Sequence, residues 1–195
     1  GADDDGSGTV AAMEIAEAFM LAKKEGKGPR RSVLVMAVSG EEKGLLGSKY
    51  YADHPIFPLE KTVANLNIDM IGRIGDFKGN PNYVYLIGAD RLSQELHYLS
   101  EQINKEYIGL ELDYTFNEED DPNRYYYRSD HYNFAKNNIP VIFYFNGIHE
   151  DYHKTTDTVE KINFDKIQKI TRLIFLTAWE LANRDKRIEL DKKEN

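Results

Sequence analysis

Glu41 and Glu42 stand side by side where an apolar run, Val33-Leu34-Val35-Met36-Ala37-Val38, gives way to Ser39-Gly40 and then Lys43-Gly44. Adjacent carboxylates at a strand exit can divide the work, one binding a divalent metal while the other takes and returns a proton. The same pair would also suit the opening of a helix, whose dipole favours acids. Similar residue types recur at other junctions. Asp3-Asp4-Asp5 precede Gly6-Ser7-Gly8, Asp69 closes an apolar stretch, and His149, Glu150, Asp151 and His153 follow another. Carboxylate oxygens and imidazole nitrogens without sulfur are the donor set of a catalytic zinc or a similar divalent ion. The three aspartates could instead cap the first helix. Asp69 carries a stronger signal, because a charge beside an apolar strand is seldom buried without a partner.

The other polar residues read less sharply. His54 and His97 lie in polar, helix-like surroundings and are expected at the surface. His149 reads as a structural loop histidine. His131, in Arg128-Ser129-Asp130-His131, either supports a site from behind or is a satisfied loop histidine, and the tyrosines at 125–127 either pack a loop or line a cleft.

Positioning such groups requires a sheet. Thr9–Lys24 carries Val10, Met13, Ala16, Phe19 and Met20 at helical spacing and stops at Gly26-Lys27-Gly28-Pro29. Apolar strands are expected at Ser32–Ser39, Thr62–Gly72, Tyr83–Ile87 and Ile139–Phe145, and helices at Leu45–Tyr51, Leu92–Ile108 and Phe164–Asn183. Asn117–Arg128 and Asn146–Thr158 read as polar loops. Alternating helices and apolar strands predict an α/β fold of three layers, α/β/α, with a mixed, mostly parallel central sheet. Ligands in such sheets bind at the carboxyl ends of the strands.

Composition sets the bounds. A chain of 195 residues is one domain of ordinary size. Its 25 basic and 33 acidic residues give a net charge of −8, which argues against nucleic acid or an anionic membrane as partner. No apolar run reaches the roughly 18 residues needed to span a bilayer. The absence of cysteine excludes disulfides and thiolate ligands. Residues 1–183 are read as that one domain and 184–195 as a charged, solvated tail.

Taken in order, Gly1-Ala2-Asp3-Asp4-Asp5-Gly6-Ser7-Gly8, Ser39-Gly40-Glu41-Glu42-Lys43-Gly44-Leu45-Leu46-Gly47-Ser48, Asn67-Ile68-Asp69-Met70-Ile71-Gly72, Ser129-Asp130-His131 and Tyr152-His153-Lys154-Thr155-Thr156-Asp157-Thr158 form a recognisable set. The chain resembles the co-catalytic zinc aminopeptidases related to bacterial leucyl aminopeptidase, aminopeptidase Y and glutamate carboxypeptidase. The resemblance implies that Asp4 bridges two zinc ions, that Glu42 and His153 complete one site and that Asp69 serves the other. It implies Glu41 as general base and Tyr152 as a group that stabilises the oxyanion. Ser129, Asp130 and His131 are assigned only to the site wall.

One element of the family pattern is missing. The resemblance places a metal-binding His in a His-x-Asp element upstream of the bridging Asp, and only three residues precede Asp4. The expectation is therefore an N-terminally truncated zinc-peptidase-like domain in which the second zinc has too few ligands, with His149 or His131 as the substitutes on offer. Of the two zinc ions in a complete site, one or none is expected here, so this chain is expected to be feebly active or inactive. An open sheet edge would favour association or strand exchange with another copy. The implied function is hydrolysis of the amino-terminal residue from a peptide. The alternatives are a single-zinc glutaminyl-cyclase-like acyltransferase, a carboxypeptidase or dipeptidase, and a non-catalytic binding domain on the same fold. Family habit implies export from a bacterial cell, although no signal peptide is visible.

Overall fold

The structure, a computed structural model, describes residues 1–76 and 78–192. Four strands form one mixed sheet in the order β1-β4-β2-β3, where β1 is Asn65–Ile68, β2 Tyr83–Ile87, β3 Glu111–Asp113 and β4 Val141–Phe145. β1 runs parallel to β4, with Asn65 opposite Val141 and Ile68 opposite Tyr144, and β2 runs antiparallel to β4 and parallel to β3. Because β1 and β4 are parallel neighbours, the residues that follow them emerge together at the same end of the sheet. Those residues are Asp69 and the loop from Asn146.

Side-chain alternation sorts β2 and β4 into two faces. Val84, Leu86, Ile142 and Tyr144 pack against α1 (Gly8–Lys24), α3 (Gln94–Ile103) and α5 (Phe164–Asn183). Tyr83, Tyr85, Ile87, Val141, Phe143 and Phe145 face the Tyr125–Tyr126 turn and α4 (Tyr132–Ala135), with Tyr51 of α2 (Leu46–Asp53) behind them. The result is the expected α/β/α layering. Ser93 and Asn163 cap α3 and α5 by accepting from the Leu96 and Lys166 amides at 3.3 Å and 3.0 Å. Gly8 has a specific reason to lack a side chain, since a Cβ there would lie 2.2 Å from the Ile68 carbonyl. The start of α1 is thereby pressed against the end of β1.

The structure departs from expectation in five places, the first being that the strand expected over Thr62–Gly72 is confined to Asn65–Ile68. Ser32–Ser39 has no regular secondary structure, and among the described residues it pairs with no strand. Its ends are held by Arg31 N donating to Ala182 O and Gly47 N donating to Ser39 O. Val33, Leu34 and Val35 stay exposed, and a groove of about 1090 Å³ separates the segment from β1, floored by Ile15, Ile174 and Leu181. An apolar run indicates that a segment suits burial, but its ladder partner has to come from elsewhere in the structure. Glu111–Asp113, too short and polar to read as a strand, pairs at the far edge of the sheet. The helix expected over Leu92–Ile108 is α-helical only to Ile103 and widens into a π turn at Asn104–Ile108. The chain after Asn183 is also more than a solvated tail. Ile188 is buried in the α5 cluster, and Arg187 donates to the Glu60 and Thr62 carbonyls. Residues 193–195 of that expected tail lie outside the described residues.

Candidate active site and metal centre

The three aspartates at the start of the chain do three different things. Asp3 is buried, accepting from the Gly72 amide at 2.6 Å and meeting His149 Nε2 at 3.1 Å. Asp5 accepts from Gly8 N at 3.0 Å and Met70 N at 3.1 Å, tying α1 to the end of β1. Asp4 alone lines the cleft. Asp157 fixes the backbone between them, accepting from the Asp3 and Asp4 amides at 3.0 Å and 3.1 Å. The Asp4–Asp5 peptide is cis. The helix-cap expectation thus holds for Asp5 and not for its neighbours.

Asp4, Glu41, Glu42, Asp69, Tyr152 and His153 line one cleft with Met70, Tyr125, Arg128, Phe143 and Phe145. His153 Nε2 lies 2.8 Å from Glu42 Oε1 and 3.3 Å from Asp4 Oδ2, and the three ligand atoms lie within 4.8 Å of one another. Tetrahedral ligands held at about 2.0–2.2 Å from a zinc ion sit roughly 3.3–3.6 Å apart, so a slight spreading would admit the ion. One imidazole and two carboxylates with no sulfur also suit it chemically. The donor set fits zinc. The His153 ring is stacked on Tyr152 with centroids 3.7 Å apart. Met70 and His153 both adopt the left-handed backbone region, with φ of 55° and 58°. Such strain in residues with side chains tends to gather at functional sites.

Asp69 enters from β1. Its Oδ2 accepts from Ser129 Oγ at 2.7 Å, and Ser129 Oγ accepts from Asn67 Nδ2 at 2.9 Å. Burial, followed at a distance by the negative charge of Asp4 and other acids, pushes Asp69 up to about 7 despite the serine donor. Burial is also the leading cause that brings Glu41 to about 7, with Asp69 and Glu42 adding to it. Asp4 is raised by burial and then by Glu42. Crowded carboxylates that resist ionising together form a ready cation site. Tyr152 is pushed up to about 12, chiefly by burial, so its hydroxyl keeps its proton.

Neither substitute histidine reaches this cleft. His131 is fully buried, stacked on Phe143 and bonded through Nε2 to the Tyr126 carbonyl at 2.7 Å, and burial lowers it to about 3. His149 is engaged by Asp3 behind the cleft floor. Asp130 is bonded to Ser48 and borders the groove beside β1. Among these loop residues Arg128 lines the cleft directly, while Ser129 acts through Asp69. His54 is exposed as expected, whereas His97 is largely covered and packs 5.0 Å from the Tyr114 ring. Sequence reasoning passed over Arg128 and Asp157. The only available signal was their position beside Ser129 and in Thr156-Asp157-Thr158.

The chain is similar to "Aminopeptidase YwaD" of Bacillus subtilis, with 27% identity over 100% of this chain and 40% of that protein. It is 33% identical to "Leupeptin-inactivating enzyme 1" of Streptomyces exfoliatus over 94% of this chain and 37% of that protein. The crystal structure of LapB from Legionella pneumophila shares the fold with a TM-score of 0.76 at 21% identity, covering 94% of this chain and 48% of that one. The chain spans about two fifths of the length of the curated relatives it matches. The family model described as Peptidase family M28 matches residues 1–178, and the chain belongs to that family.

Proposed function

We propose that this chain carries the catalytic cleft of a zinc aminopeptidase that releases the amino-terminal residue of peptides. The observation that carries this reading is the convergence of Asp4, Glu42 and His153 into one ligand triangle, with Glu41 and Asp69 in the same cleft. Asp4, Glu42 and His153 would hold one zinc ion, and Asp4 and Asp69 would contribute to a second. Bound zinc would polarise the scissile carbonyl and lower the pKa of water. Glu41, poised near neutrality, takes the proton of the attacking water and passes it to the departing amine. The Tyr152 hydroxyl, kept protonated, donates to the carbonyl oxygen as negative charge develops there. The surrounding carboxylates attract the substrate's terminal ammonium.

A complete second site needs a further ligand near Asp69, because neither His131 nor His149 faces the cleft. The groove beside β1 ends at Asp5 and Asp130, next to this position. A strand from elsewhere in the whole protein, or from a second copy, fits that open edge and would reach it. No described helix is long and apolar enough to cross a membrane; export from a bacterial cell is part of this reading.

The test is zinc loading followed by assay of leucine p-nitroanilide and its N-acetyl derivative. Release from the free amine and not from the blocked one supports an aminopeptidase; equal release from both excludes it. A single complete ligand triangle among the described residues also suits a single-zinc glutaminyl cyclase. Pyroglutamate formed from an N-terminal glutamine, without cleavage of the leucine substrate, would favour that reading.

A further inference from the structure

The cleft holds one permanent cation. Arg128 is the only Arg or Lys among its described lining residues, opposite four carboxylates. Arg128, like Arg91 and Arg124, sits over a tyrosine ring without an ion pair among the described residues, but of these three only Arg128 lines the cleft. Its Nη1 reaches the Asn123 carbonyl only at 3.5 Å. What holds the guanidinium is stacking, 4.9 Å above the Tyr125 ring. Tyr125 is itself wedged between Phe116 and Phe145, at 4.8 Å and 5.0 Å. The platform is therefore firmly packed, and the fork's hydrogen bond to Asn123 is a long one. The adjacent Ser129 is pinned to Asp69 at 2.7 Å, so the cation is held in register with the metal centre.

A guanidinium beside a dication site raises the local positive potential and repels cationic side chains. It favours a substrate that brings negative charge. Arg is the side chain best suited to take a carboxylate through two parallel hydrogen bonds. We propose that Arg128, on its Tyr125 platform, is a subsite for a substrate carboxylate, either the side chain of an N-terminal Asp or Glu or the terminal carboxylate of a dipeptide. This inference rests on the peptidase reading and names its substrate class.

The test needs no turnover. The metal-free chain, labelled with ¹⁵N in its arginine side chains, is titrated with glutamyl-alaninamide, leucyl-alanine and leucyl-alaninamide. At least one of the two carboxylate ligands is expected to shift the Arg128 Nε–H resonance and bind about fivefold or more tighter than the neutral amide. Which one does so identifies the source of the carboxylate. Arg128→Gln should erase the preference, and Arg128→Lys should keep part of it as a point charge without the fork. Arg128 is exposed, so these variants should fold, and circular dichroism checks that they do. Equal binding of all three ligands, or a preference that survives Arg128→Gln, overturns the proposal. A parallel assay of the zinc-loaded protein on all three ligands separates the two readings. Cleavage with equal binding removes only the carboxylate subsite, whereas a clear preference without cleavage of any ligand removes the peptidase.

Discussion

Ser129 Oγ donates to Asp69 Oδ2 at 2.7 Å while accepting from Asn67 Nδ2 at 2.9 Å, so a side chain after β1 is aimed by a loop some sixty residues away. The short relay removes one rotational freedom from Asp69 and opposes the upward pull of burial on its pKa. Replacing Ser129 by Ala leaves a half-buried carboxylate one donor short. The expected cost is about 1–3 kcal/mol of stability. Metal affinity of any site that uses Asp69 should fall about 10- to 100-fold, measured by competition with a chromogenic chelator. Unchanged affinity would mean that Asp69 is not a ligand.

Glu41 and Glu42 are chain neighbours with different expected losses. Glu41→Gln should lower turnover about 100- to 10,000-fold while zinc stays bound. Glu42→Gln and His153→Ala should instead lose the metal. Zinc content by atomic absorption, read beside the rate, separates the two outcomes. Near-normal turnover of zinc-loaded Glu41→Gln rules out its role as base.

Zinc should stabilise the fold and displace protons. At a hundredfold excess over its dissociation constant a ligand adds about 2.7 kcal/mol, which appears as a rise in Tm that EDTA reverses and His153→Ala abolishes. Glu41 and Asp69, both raised to about 7 without metal, carry bound protons below that pH. A cation drives those protons off, so calorimetry at pH 6.5 in buffers of different ionisation heat should show release, and at pH 9 little or none. Release of equal size at both pH values would contradict this.

His131 supplies a second pH dependence, at lower pH. Burial holds it near 3 in the folded state, against about 6.5 unfolded. Between those values the unfolded chain binds a proton that the folded one refuses. Stability from this group is therefore complete above pH 6.5 and is lost as pH falls towards 3. His131→Gln can retain a donor for the Tyr126 carbonyl. Urea midpoints from pH 7 to pH 4.5 should fall less steeply in the variant. Parallel curves would show that His131 does not contribute to acid sensitivity.

Leu34 sits in the segment that faces the open groove and is half exposed. Leu34→Lys is expected to change stability by no more than about 0.5 kcal/mol. If self-association runs through this edge, the inserted charge should weaken it, as charges on sheet edges do. Sedimentation velocity at matched concentrations reads the effect, and a dimer that persists unchanged would place the contact elsewhere.

Residue identity and local pattern were enough to propose donor chemistry for the site and to read most of the framework that carries it. Strands at Tyr83 and Ile139 and the long helix from Phe164 follow from runs and periods of apolar residues, which report local suitability for burial. The donor types at Asp4, Glu42 and His153 are visible for the same reason, because oxygen and nitrogen ligands are fixed by residue identity. Local pattern carries no information about partners distant in the chain. Only the tertiary structure decided that Asp3, Asp4 and Asp5 point three ways, that His131 and His149 turn away from the cleft, and that Val33–Val38 lies beside the sheet without joining it. Arg128 also became visible only there, since an unpaired guanidinium is defined by what surrounds it, and those surroundings come together when the chain folds.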